Sequence, residues 1–147
     1  MEKFEVHILG CGSALPTTRH HATSQVIDLR DKLYMIDCGE ATQSQYRTAG
    51  LSFSRLGHIF ISHLHGDHCF GLMVLISTFG LLGRTAKLHI YAHKELEKLL
   101  QPQLDFFCKG MTYTVEFHAI DPTKAETIYE DRSVSVTTIP LKHRIPS

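Results

Sequence analysis

A chain of 147 residues with 43% hydrophobic content is long enough to bury a core of its own, which excludes disorder as its organising state. Fifteen basic residues balance fifteen acidic ones, so no global field draws the chain toward nucleic acid or anionic lipid, and any such partner must be held by a local patch. Eleven histidines stand out against that neutral background, whereas the four cysteines (Cys11, Cys38, Cys69, Cys108) form no C-x-x-C pair and, with no secretory leader, read as reduced thiols of a cytoplasmic protein.

The opening "FEVHILGCGSALP" contains a β-rich run from Phe4 to Leu9, after which Gly10 and Gly12 allow a sharp turn. "SQVIDLRDKLYMIDCG" places two apolar runs around Arg30-Asp31-Lys32, the pattern of an antiparallel hairpin whose second arm ends at Asp37. Glu40 to Ala49 has good helix formers and stops at Gly50. "HIFIS" then reads as a short strand buried on both faces. The apolar run from Cys69 to Gly83 is too short to span a bilayer and is interrupted by Ser77 and Thr78. It predicts a buried helix over Cys69 to Leu82, and no membrane partner is expected.

"KLHIYA" predicts another buried strand, and "HKELEKLLQPQLDFF" an amphipathic helix interrupted near Pro102. Strand, helix, strand, helix implies parallel pairing in this region. "YTVEFHAI", "ETIYE" and "SVSVTTIPL" follow as three strands, separated by Asp121-Pro122 and Asp131-Arg132. With no internal repeat, low-complexity segment or linker, residues 1–147 read as a single α/β (α+β) domain.

Between "HIFIS" and the long helix stands "SHLHGDH", with His63, His65, Asp67 and His68 in six positions. Residues two apart near the end of a strand point to the same side, so His63 and His65 can converge on one ion. Gly66 permits a tight turn, after which Asp67 and His68 at a helix start can face the same space. Two imidazoles followed by a carboxylate and a third imidazole suit a borderline ion, zinc before manganese or iron. The cluster has room for one ion or two, and two ions would favour hydrolysis at phosphorus.

His143, in "PLKHRIPS", follows the last predicted strand, a good place for a distant ligand to return to the site. His7, His89 and His118 lie within strands and read as ordinary sheet residues, while His58 and His93 sit at element boundaries. Loop residues Thr17, Arg19 and His20 are candidates for contact with a backbone phosphate.

These residues resemble a known family. "SHLHGDH" carries the H-x-H-x-D-H signature of the metallo-β-lactamase superfamily, and "LGCGSALPTTRHHATS" with "DCGEATQ" looks like ribonuclease Z, the endonuclease that removes 3′ trailers from precursor tRNA. The resemblance extends from the first strand to His143. It implies an αββα sandwich, with His63, His65 and His143 on one zinc and Asp67 and His68 on a second. It also implies Asp67 as a catalytic residue in proton transfer with the attacking water, precursor tRNA as substrate, and a homodimer. The products would be tRNA with a 3′-hydroxyl and a trailer with a 5′-phosphate. Glu40 and Thr42 would support the site or the start of its helix.

The family completes its site with a bridging aspartate and further histidines from a second half, and with an arm that grips tRNA; the resemblance therefore reaches the first half of the sandwich. The chain also reads "GLMV" at Gly71 to Val74 where G-L-P-G is common, and "PTTRHH" where arginine followed by asparagine is common. Two rival functions follow. One is hydrolysis of another ester, a small phosphodiester or aryl sulfate, by the same two-metal chemistry; the other is a non-catalytic half that assembles with a partner.

Overall fold

The computed structural model describes residues 3–145. Strands β1 (Phe4–Gly10), β2 (Ser24–Leu29) and β3 (Lys32–Ile36) pair antiparallel in succession. The β2–β3 turn is Arg30 and Asp31 alone, at φ 51° and 61°. That is the tight turn whose twist matches the strands it joins. Helix α1 (Thr42–Thr48) begins two residues later than expected because Ala41 is left-handed at φ 69°, and it ends at Gly50, φ 65°, as predicted.

Strand β4 (Leu56–Phe60) adds to β3 in parallel, followed by β5 (Leu88–His93) and β6 (Val115–Ile120), giving one six-stranded sheet in sequence order. Alternation divides its faces. Leu33, Met35, Ile59, Ile90, Ala92 and Phe117 meet the helices, whereas Tyr34, Phe60 and Tyr91 face the other way.

Three helices besides α1 complete the first layer: α2 (Gly66–Cys69), α3 (Leu72–Leu81) and α4 (Glu95–Phe107). The single helix expected from Cys69 to Leu82 is thus broken at Phe70–Gly71. The cause is a close crossing, since the Gly71 N–H donates to the Cys38 carbonyl at 2.9 Å and a Cβ on Gly71 would lie 2.1 Å from the Gly39 carbonyl oxygen. Only glycine admits that approach.

The interruption expected at Pro102 does not occur, and α4 runs through it. Leu96, Leu100 and Leu104 form one buried stripe on both sides of the proline and hold a common axis. Pro102 itself is exposed, so water can satisfy the carbonyl that loses its partner.

On the opposite face, β7 (Thr127–Glu130) and β8 (Ser135–Thr137) form a two-stranded antiparallel sheet. Its Ile128, Tyr129, Val134 and Val136 pack on Tyr34, Phe60 and Tyr91. The strand expected from Ser133 to Leu141 is therefore much shorter, and the chain beyond Thr138 leaves the ladder as a strap that carries His143. Phe4, Val6 and Ile8 share this sheet face through the register Val6–Ile27–Tyr34, yet they remain 61%, 51% and 59% exposed.

Asp131 fastens the hairpin to the sheet. Its Oδ2 accepts from Lys32 Nζ at 2.6 Å and from the hydroxyls of Tyr34 and Tyr129 at 2.8 Å each; its Oδ1 accepts the N–H groups of Ser133 and Val134 at 2.7 and 3.0 Å. Burial alone would raise its pKa, but hydrogen bonds from Lys32, the Ser133 N–H, Tyr129 and Tyr34 outweigh that and hold the carboxyl well below the usual carboxylate range. A depressed folded-state pKa gives stability that is present above the unfolded value of about 3.9 and is lost as pH falls toward the folded one. Asp131→Asn is therefore expected to cost roughly 2 kcal/mol at pH 7. The gap should narrow by about 1 kcal/mol per pH unit below about pH 4. Thermal melts of both proteins from pH 7 to pH 3 check this, and a gap that stays constant would refute it.

Candidate metal centre

The cluster forms where the parallel strands end. β4 stops at Phe60, so His63 and His65 lie in a loop, whereas their spacing led to the expectation of a strand edge. The ladder ends because the Ser62 N–H turns away to donate to Asp37 Oδ1 at 2.8 Å. Loop curvature, not the pleat, brings the two imidazoles together, with His63 Nε2 3.1 Å from His65 Nδ1.

The strap returns His143 to the same place. Its ring centroid lies 4.5 Å from that of His63 and 5.0 Å from that of His65. One nitrogen from each of the three histidines falls within 4.8 Å of the others. A local reading of "PLKHRIPS" could suggest this return; only the path of the strap over the sheet achieves it.

Asp67 and His68 occupy α2, next to the first three. His68 Nδ1 lies 2.7 Å from Asp37 Oδ2, and His68 Nε2 lies 3.5 Å from Asp67 Oδ2. An ionised carboxylate can only accept, so Nδ1 carries the proton facing Asp37, and Nε2 is the nitrogen turned toward Asp67. Ser62 Oγ, which sits 3.0 Å from Asp37 Oδ2, also reaches His63 Nδ1 at 3.1 Å. His63 is thereby turned to present Nε2 to the cluster.

Asp37 was given no role by sequence reasoning beyond ending a strand. The available signal was an acid closing the apolar run "LYMI" and followed by Cys-Gly, since a carboxylate 5% exposed must have strong partners. It stands at φ 58°, and the loop behind it is fixed by the Cys38 N–H donating to the His68 carbonyl at 2.7 Å. The β3 exit and α2 are thus stitched together, which places Asp37 and His68 in register.

Burial, and then the neighbouring His68, His143 and His65, lower the pKa of His63 and favour the neutral imidazole that ligation requires. Cys69 is close by, but burial first, with Asp37 and Asp67 adding to it, pushes its thiol up to about 11. It stays protonated at neutral pH. Cys38, also buried, is raised as well, and all four cysteines are free.

A cavity of about 740 Å³ opens beside the cluster, lined among others by Thr17, His20, Glu40, His65, Asp67 and Arg144. Of the three loop residues proposed for phosphate contact, Thr17 and His20 face it and Arg19 does not. Thr17 Oγ1 accepts the N–H groups of Arg19 and His20 at 3.3 and 3.0 Å, which shapes the loop. Arg144, overlooked in the sequence beside His143, supplies the cavity's guanidinium. Thr42 is buried and donates to the Gly39 carbonyl at 2.7 Å, a helix-start contact and not a site contact.

The donor set fits a transition-metal ion: imidazole nitrogens face one another, and a carboxylate lies beside them. His63, His65 and His143 could hold one ion, and Asp67 with His68 could contribute to a second.

The chain is 73% identical over its full length to a ribonuclease Z of Phocaeicola vulgatus, of which it covers 48%. It spans about half the length of the curated relatives it matches. Human tRNase Z, short form, superposes with a TM-score of 0.85 at 27% identity, covering 99% of this chain and 62% of that one. The metallo-β-lactamase fold protein YhfI of Bacillus subtilis gives a TM-score of 0.62 at 21% identity over 83% of this chain and 47% of that one. A sequence model of the family described as anti-Pycsar protein Apyc1 matches residues 4–146. The chain is thus similar to ribonuclease Z, has the metallo-β-lactamase fold, and belongs to the family described as anti-Pycsar protein Apyc1.

Proposed function

We propose that this chain carries the metal-binding half of a zinc-dependent endoribonuclease that removes the 3′ trailer from precursor tRNA. The observation that carries the reading is the convergence of His63, His65 and His143 next to Asp67 and His68. The 73% identity to a protein named ribonuclease Z supports reading the substrate as precursor tRNA before other phosphate esters. His63, His65 and His143 would hold the first ion in this reading, with Asp67 and His68 on the second. Zinc bound there would polarise a phosphoryl oxygen and lower the pKa of a bound water.

The chain's own residues have separate tasks. Asp67, on the cavity wall, accepts the proton of the attacking water. Asp37 holds the tautomer of His68, and Ser62 that of His63. Thr17, His20 and Arg144 line the side from which an RNA phosphate enters, where Arg144 offers a bidentate donor. A cytoplasmic, homodimeric enzyme fits this reading, and no helix among the described residues is long and apolar enough to cross a membrane.

A second reading has its own observation. Phe4, Val6 and Ile8 leave an apolar strip on the sheet face beyond the hairpin, which suits a non-catalytic half-domain that assembles with a partner. Both readings expect the 147-residue chain alone to be catalytically weak or inert. They separate in the assembled full-length protein, where precursor tRNA should be cleaved with a 3′-hydroxyl on the tRNA and His65→Ala should abolish cleavage. Preference for a small aryl phosphodiester over precursor tRNA in that protein would count against the first reading. A clean monomer of this chain at high concentration by light scattering would count against the second.

A further inference from the structure

We infer that His89, Glu116 and His118 form a separate metal site, for a single divalent ion of the zinc class, on the sheet face away from the helices. The register creates the grouping. β5 and β6 run parallel with His89 beside Glu116 and Tyr91 beside His118, so the pleat puts all three side chains on one face. Ile90 and Phe117, the alternate residues, enter the helix-facing core. The site lies toward the amino-terminal ends of the strands, whereas the His63 cluster stands at the carboxyl-terminal end of β4.

The three donors converge as those of the His63 cluster do. His89 Nδ1 is 2.9 Å from His118 Nε2, and Glu116 Oε1 is 3.6 Å from that same nitrogen. One donor atom from each residue lies within 4.8 Å of the others. Tetrahedral zinc with bonds of about 2.0–2.2 Å separates its ligand atoms by about 3.3–3.6 Å. The observed distances bracket that spacing, so small side-chain adjustments admit an ion. A hydrogen bond between the imidazoles alone leaves Glu116 Oε1 beyond bonding range.

The rings are also held in place. His89 stacks on His58 with centroids 5.0 Å apart at 12°, and His118 stacks on Tyr91 at 4.4 Å and 11°. Lys87 Nζ binds Glu116 Oε2 at 2.6 Å, which orients the carboxylate and leaves Oε1 for the ion. The side chains of His118 and Glu116 are 33% and 43% exposed, so an ion and a water completing its coordination can enter. Two imidazoles and one carboxylate favour zinc over magnesium or calcium.

Cobalt(II), a coloured stand-in for zinc, tests the assignment in the full chain. With the other cluster disabled by His63→Ala/His65→Ala, the protein should still bind cobalt with visible absorption. Adding Glu116→Gln or His118→Ala should weaken that binding on the order of tenfold or more. No such binding in a folded double variant, or binding indifferent to both additions, would overturn the site and reduce the trio to a hydrogen-bonded ladder. If the double variant does not fold by circular dichroism, the count of cobalt bound by the unmodified chain decides. It should fall by one in Glu116→Gln, and an unchanged count is the negative result.

Discussion

Replacing His63 and His65 together by alanine is expected to remove at least one equivalent of bound transition metal from the purified chain, with the folded core retained. Both residues lie in a loop outside the β4 ladder, and neither is among the fully buried side chains that fill the core. Truncation therefore opens no cavity, and the loss falls on ligation. The unmodified chain should gain about 2.7 kcal/mol at zinc concentrations a hundredfold above its Kd. For a domain of this size that is about 5–10 °C in Tm. The double variant should lose most of that shift, and His20→Ala, on the cavity wall but outside the cluster, should keep it. Metal analysis and melts with and without zinc supply both readouts. The drop is the test, since the His89 site can retain its own ion. Metal content indifferent to the double substitution would remove the ligand assignment.

Asp37→Asn is expected to weaken metal binding by about 10- to 100-fold while leaving most of the fold in place. The amide oxygen can still accept the Ser62 N–H that now reaches Oδ1 at 2.8 Å. The amide nitrogen, however, donates toward His68 Nδ1, where Asp37 Oδ2 now accepts at 2.7 Å. His68 must then switch tautomer, and the proton moves to Nε2, the nitrogen that faces Asp67. The lone pair needed for an ion is lost without any ligand being deleted. Asp37→Ala should behave differently, because the part-buried Ser62 N–H loses its acceptor and stability falls by roughly 1 kcal/mol as well. Isothermal titration with cobalt, paired with thermal melts, separates the two effects. If Asp37→Asn binds metal as the unmodified chain does, the orienting role is wrong.

Periodicity made much of the architecture readable. The hairpin around Arg30 and Asp31, the switch from antiparallel to parallel pairing, and the glycine stop at Gly50 all follow from local rules. The errors share a cause. The break before α3 arises where Gly71 crosses Gly39, a contact between segments more than thirty residues apart. The continuity of α4 through Pro102 depends on a leucine stripe docked in the core. Strand β8 ends early because the chain must leave the ladder to deliver His143.

Sequence by itself determined the candidate chemistry: four ligand-type residues within "SHLHGDH", in a chain of zero net charge, mark a candidate metal-binding loop at a strand exit. Tertiary structure alone decided which distant groups join it. His143 arrives by the strap and Asp37 by the end of a neighbouring strand, and sequence spacing contains neither distance. The same holds for His89 and His118, which read as ordinary sheet residues until parallel register sets them beside Glu116. Ligand identity is a local property of side chains, whereas convergence is a property of the fold.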